Sequence, residues 1–203
     1  MNMVYVKQYP SAPYNIQEIL RYMGVKNDEN DESVLALIEE CINECEKVNV
    51  FAGKVSFAEF DLNIYKNKIS VGEIVFENEN FAKKLFFCKS AVIFAATVGI
   101  GIDRLIEKYS TISPAKALVF QAIGAERIES LCDAFCEELA KDTSIKPLSR
   151  FSPGYGGISL EIQKDIFRIL NCEKNIGLTL CDSMLMSPSK SVTAIVGIEK
   201  KGI

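Results

Sequence analysis

Eight consecutive residues, Ser90-Ala91-Val92-Ile93-Phe94-Ala95-Ala96-Thr97, form an apolar run closed by a hydroxyl residue at each end. A strand with one wet face alternates apolar and polar residues. A short unbroken run instead predicts a strand buried on both faces, at the centre of a sheet with layers above and below it. Gly99 and Gly101 end the run, and a helix is expected from about Ile102 to Tyr109. A G-x-G between strand and helix invites a dinucleotide-binding reading. Here the third glycine position holds Arg104, and no regular β-α-β repeat surrounds it, which favours a tight strand-to-helix turn. No G-x-x-x-x-G-K-[ST] occurs.

A central strand needs neighbours, and the sequence offers them on both sides. Val55–Phe76 follows a β pattern, Val4–Lys7 alternates, and Leu178–Leu185 and Ser191–Ile198 read as an antiparallel pair turned at Ser187–Lys190. Ser187–Ser191 with Lys190 could also form an anion-binding turn, but a hairpin connection is the simpler reading. Helices are predicted at Asn15–Met23 (Asn15 as cap, Gly24 as stop), Glu32–Val48 and Phe81–Phe87. Two more are expected at Pro114–Lys141, opened by Ser113-Pro114, and at Leu160–Leu170. Asn27–Asp31 and Pro147–Gly157 read as loops. Strands and helices without regular alternation imply an α+β fold: an antiparallel or mixed twisted sheet flanked by helices. One domain over 1–203 is expected, with 1–50 a helical N-terminal part and 51–203 the core.

Histidine is absent from all 203 residues. This removes Ser–His–Asp and Cys–His nucleophilic catalysis, H-E-x-x-H zinc hydrolysis and histidine phosphotransfer. What remains is carboxylates, thiols, Tyr, Lys, Arg and backbone groups. The net charge of −4, without any basic run, argues against nucleic acid as a partner. Met1–Tyr14 is interrupted by Lys7 and two prolines, so no signal peptide is expected. The longest apolar stretch, Ala91–Ile102, falls short of the roughly 20 residues that cross a membrane. No membrane association and a cytoplasmic location are the expectation. The seven cysteines include Cys41/Cys45 and Cys132/Cys136, each four apart on a predicted helix. Such pairs could hold a metal, but zinc wants four ligands at recognisable spacing, and buried thiols in a reducing compartment are the simpler reading.

The chemistry concentrates in Arg150-Phe151-Ser152-Pro153-Gly154-Tyr155-Gly156-Gly157. Glycines let backbone N–H and C=O groups approach a ligand, an arginine fork suits a carboxylate, and tyrosine offers a ring face and a hydroxyl. An ordinary Gly/Pro turn with a snorkelling arginine would use the same residues, and composition leaves the two open.

Arg150-x-x-x-Gly154-Tyr155 resembles the R-x-x-x-G-Y-P signature of the S-adenosylmethionine-binding reactivation domain of cobalamin-dependent methionine synthase. Met186-x-Pro188-x-x-Ser191-Val192-Thr193 is similar to that family's M-x-P-x-x-S-x-S segment, and the pieces between follow in order. Upstream, Ala122-x-Gly124-x-x-x-x-Glu129 and Ala95-Ala96-Thr97-Val98-Gly99 resemble small stand-alone relatives. Two departures stand out: Gly156 replaces the signature proline, and Thr193 the second serine. The resemblance implies an activation-domain-like fold and a set of roles. Arg150 and the backbone around Ser152, Gly154 and Tyr155 would hold S-adenosylmethionine, with Tyr155 near the methyl group and the corrin face. Glu129 would hold the ligand's amino group, with Glu126 the alternative carboxylate. No other synthase module is recognisable here, so the implied role is accessory rather than that of a complete enzyme: reductive remethylation of inactive cob(II)alamin on a methionine synthase lacking this domain. The implied partners are the cobalamin-binding domain of that synthase, which carries the cobalamin, or another corrinoid protein, and an electron donor such as flavodoxin or ferredoxin. Activation of another corrinoid methyltransferase and non-catalytic S-adenosylmethionine binding remain open alternatives.

Overall fold

Ser90–Thr97 forms a strand whose eight residues are all buried. In the computed structural model, which describes residues 2–25, 31–141 and 145–200, this strand is β5. Before it come β1 (Tyr5–Tyr9), α1 (Ile16–Met23), α2 (Glu32–Lys47), β2 (Gly53–Tyr65), β3 (Lys68–Val71), β4 (Ile74–Glu77) and α3 (Glu79–Lys84). After it come α4 (Gly101–Ile112), α5 (Pro114–Ala140), β6 (Ile145–Pro147), α6 (Ile162–Leu170), α7 (Cys172–Ile176), β7 (Thr179–Leu180), β8 (Met186–Ser187) and β9 (Ser191–Lys200). The main sheet runs β4-β3-β2-β5-β9-β6, with β1 also on β2, and all its pairings are antiparallel.

Side chains of β5 alternate between two cores. Val92, Phe94 and Ala96 join α1, α2, α4 and α5 on one face, while Ala91, Ile93 and Ala95 join α3, α6 and α7 on the other. This two-sided burial is why the strand shows no polar alternation. Local signals set the helix ends. Asn15 accepts from the Glu18 N–H at 3.3 Å and Gly24 closes α1 in the left-handed region. Asp31 caps α2 and Asn78 caps α3. Pro114 opens α5 as expected, although the Ser113 hydroxyl makes no capping bond. The Asn27–Asp31 loop expectation lies outside the described residues except at Asp31.

One expected pairing is wrong. Ser191–Ile198 does not pair with Leu178–Leu185. It lies beside β5, from Ser191 opposite Thr97 to Ile198 opposite Ser90. Thr179–Leu180 pairs instead with Met186–Ser187 in a small separate hairpin. Ala194, Ile195, Val196 and Ile198 are apolar toward both faces, and only a place beside the central strand buries both. The Ser187–Lys190 turn therefore links the small hairpin to the main sheet. The loop expected from Pro147 begins one residue later, because Pro147 ends the edge strand β6, a position that needs no proline N–H.

The Gly99–Gly101 turn is tight, as the sequence suggested. Gly99 has φ +88°, and a Cβ on Gly101 would run into the backbone of Val50. Gly101→Ala should destabilise the fold by about 1–3 kcal/mol through overpacking against a backbone that cannot yield. Urea denaturation would check this, and an unchanged midpoint would show that the turn has room to shift.

Candidate functional site

Beside β9 lies an open cleft of about 590 Å³. That is within the range of roughly 300–1,000 Å³ typical of small-molecule sites. Much of its wall comes from Glu129 on α5, from Arg150, Phe151, Ser152, Pro153, Tyr155 and Gly156 on the loop after β6, and from Met186 on β8 and Ser191–Thr193 at the start of β9. The two sequence segments that carry the resemblance, some forty residues apart, thus face one space.

The loop is pinned to the sheet by Phe151, whose N–H donates to the Ile195 carbonyl at 2.9 Å and whose carbonyl accepts from the Ile195 N–H at 2.8 Å. The Phe151 ring packs edge-on against Phe81, with centroids 4.3 Å apart. Beyond this anchor the chain turns tightly. Tyr155 N–H reaches Ser152 O at 3.2 Å, and Gly154 N–H reaches Ile158 O at 2.9 Å. Gly154 does not line the cleft but shapes this turn, with φ +88°. Gly156 has φ +59°, and its carbonyl accepts from Asn78 Nδ2 at 2.8 Å. A proline ring holds φ near about −65°, so the backbone path taken here is closed to the residue that Gly156 replaces. Tyr155, 76% exposed, stands at the rim.

Arg150 hydrogen-bonds both Glu129 and Asp133, one turn apart on α5. Burial would lower the Arg150 pKa, but the bonds to these carboxylates outweigh it and the pKa is raised, so the side chain is a fixed cation. Glu129 and Glu126 are now distinguishable. Glu129 lines the cleft, whereas Glu126 is 2% exposed and faces away from it. Glu126 pairs with Arg127, accepts from Ser130 Oγ at 2.7 Å and meets the Asn15 N–H at 3.3 Å.

A guanidinium and a carboxylate side by side match the two charges of an α-amino acid. The surrounding loop backbone and aromatic rings suit a flat heterocycle. Sequence reasoning missed Lys84, Ile158, Leu160 and Gln163, which also line the cleft, and Asp133, the second partner of Arg150. Asp133 could have been found, being four residues beyond Glu129 on one helix face. Lys84 and Gln163 carry no local signal, because tertiary packing alone brings them here.

The buried cysteines offer no ready nucleophile. Burial pushes the thiols of Cys41 and Cys88 up to about 11 and those of Cys45 and Cys172 up to about 12, so they stay protonated at neutral pH. Burial also raises Cys136, with Arg150 opposing. Among the described residues no cluster of ligating side chains could hold a metal ion, and no helix is long and apolar enough to cross a membrane.

Residues 88–202, more than half of the chain, match the family described as vitamin B12 dependent methionine synthase, activation domain. Among curated proteins, none matches the chain. Among solved structures, the crystal structure of the MetH reactivation domain bound to AdoHcy superposes with a TM-score of 0.72 at 13% identity, over 99% of this chain and 80% of that one. The shared fold is the α+β sheet flanked by helices.

Proposed function

Because this chain belongs to the activation-domain family of vitamin B12-dependent methionine synthase, we propose that its Arg150 cleft binds S-adenosylmethionine and presents the methyl group to a corrinoid held by a cobalamin-binding domain. The observation that carries this reading is convergence. Arg150, Ser152 and Tyr155 share one cleft with Glu129, Ser191 and Thr193. The solved reactivation domain of like fold was crystallised with AdoHcy.

The sulfonium of S-adenosylmethionine supplies an electrophilic methyl group, so the transfer asks for no acid or base from the protein. What the chain provides is placement. Arg150 takes the ligand carboxylate and Glu129 its ammonium, while the backbone around Ser152 and Tyr155 borders the remainder. Tyr155, at the exposed rim, would meet the corrin face. A chain without histidine can do all of this. The role is that of an accessory component, with reductive remethylation of cob(II)alamin as the reaction served. A methionine synthase, or another corrinoid protein, is the client, and a low-potential donor such as flavodoxin or ferredoxin supplies the electron.

The test has two stages. Titration calorimetry with S-adenosylmethionine should show binding. The chain should then convert the cob(II)alamin absorption spectrum of an added cobalamin-binding domain, given reductant and S-adenosylmethionine together. Binding without spectral change would favour a ligand-binding protein that serves no corrinoid. Absence of both would end the proposal.

A further inference from the structure

Two buried side-chain atoms among the described residues lack any hydrogen-bond partner: Gln163 Oε1 and Thr193 Oγ1. Both residues line the Arg150 cleft, and they are 5% and 2% exposed. Leaving such an atom unpaired costs about 1–3 kcal/mol, so two in one wall need a physical account.

They approach from two elements on the same side of the sheet. Thr193 shares its parity on β9 with Ile195, which packs in the core beneath α6, and Gln163 sits in the first turn of α6. The backbone edge of β9 beside them is only partly covered. Ile195 turns its N–H and C=O away from β5 toward Phe151, and Gly197 turns its carbonyl toward Leu148. Strand alternation aims the N–H and C=O of Thr193 along that same edge. The edge strand β6 covers β9 only from Ile198 to Lys200. An amide oxygen, a hydroxyl and a strand edge thus adjoin, all uncharged, in a cleft whose Arg150 and Glu129 are already suited to a charged head group.

We propose that Gln163, Thr193 and the open Thr193 edge form an uncharged subsite that reads the nucleoside half of the ligand, which supplies the missing N–H or O–H donors. This rests on the S-adenosylmethionine reading above. Gln163 Oε1 can only accept, and Thr193 Oγ1 can accept or donate. The purine 6-amino group and the ribose hydroxyls are the neutral donors that fit, and neither is answered by Arg150. A site built to bond such a donor rejects the analogue lacking it far more strongly than an apolar pocket would.

The experiment measures binding of S-adenosylhomocysteine by calorimetry to the full chain, to Gln163→Leu and to Thr193→Val, with the melting temperature of each ligand-free protein. Each substitution removes a polar atom that has no partner, so the melting temperature should hold or rise while affinity falls about tenfold or more. S-inosylhomocysteine and the 2′- and 3′-deoxy forms of S-adenosylhomocysteine identify the donor. The form lacking it should bind the parent about as weakly as the substituted chains bind the intact ligand, and should lose little more when the two changes are combined. Unchanged affinity in both variants would overturn the subsite while leaving the S-adenosylmethionine reading intact. Lower melting temperatures with unchanged affinity would overturn it too, by showing that the two atoms serve the fold through an internal water. Should the parent chain bind neither S-adenosylmethionine nor S-adenosylhomocysteine, the site reading itself fails and the subsite with it.

Discussion

Arg150→Ala is expected to weaken S-adenosylmethionine binding by about 1.5–3 kcal/mol, the usual worth of hydrogen bonds to a charged group, which is roughly 10- to 150-fold in Kd. Stability should barely move. Glu129 and Asp133 are both substantially exposed, and partly exposed pairs of this kind contribute only about 0–1 kcal/mol. Arg150→Lys should recover little, because an ammonium cannot bridge two carboxylates and a ligand carboxylate with the planar fork that guanidinium offers. Calorimetry beside a urea melt separates the two quantities. A large stability loss with unchanged affinity would make Arg150 a structural residue and move the ligand site elsewhere.

The second large effect is the reverse in kind. Glu126→Ala should destabilise the protein by about 3–5 kcal/mol, because it strands a buried guanidinium. Arg127, 4% exposed, has Glu126 as its carboxylate partner. Its remaining donors go to Ser11 Oγ at 3.2 Å, the Pro13 carbonyl at 3.0 Å and the Ala12 carbonyl, and its fork lies over the Tyr14 ring. The pair therefore holds residues 11–15 against α5, and its loss loosens that segment as well. Denaturant unfolding would measure the effect. Glu129→Gln provides the contrast, with an expected loss of ligand affinity and little loss of stability. Should the Glu126 substitution prove harmless to folding, the role assigned to this buried pair would be wrong.

How much of this was legible beforehand depends on the range of the physics involved. Ser90–Thr97 announced its own burial, since eight residues without a polar face have only one kind of place to go. Asn15 and Gly24 marked α1 because caps are satisfied within one turn. The partner of Ser191–Ile198 was not legible. Its pattern shows a strand, but which strand it joins is decided by which apolar faces the rest of the chain leaves open. For the site, Arg150, Ser152 and Tyr155 followed from the resemblance, and the structure puts them in one cleft with Glu129. Which of Glu129 and Glu126 faces the cleft needed three dimensions. Both lie on α5, and only the packing of residues 11–15 shows that Glu126 is already occupied. Gln163 was invisible for a similar reason. A single polar residue beside Ile162 in an amphipathic helix looks like its wet side until tertiary packing buries it.

The Arg150 cluster carries a consequence for turnover. Arg150 facing Glu129 and Asp133 leaves that cluster one negative charge in surplus, and Lys84, which lines the same cleft, cancels it, so the wall as a whole is neutral. On the proposed reading S-adenosylmethionine, a zwitterion with an added sulfonium, would enter with a positive charge that the wall does not balance, and the thioether left after methyl transfer would be neutral, as the wall is. Net charge would then favour the departing species over the entering one, and added salt would narrow the difference by screening the cleft.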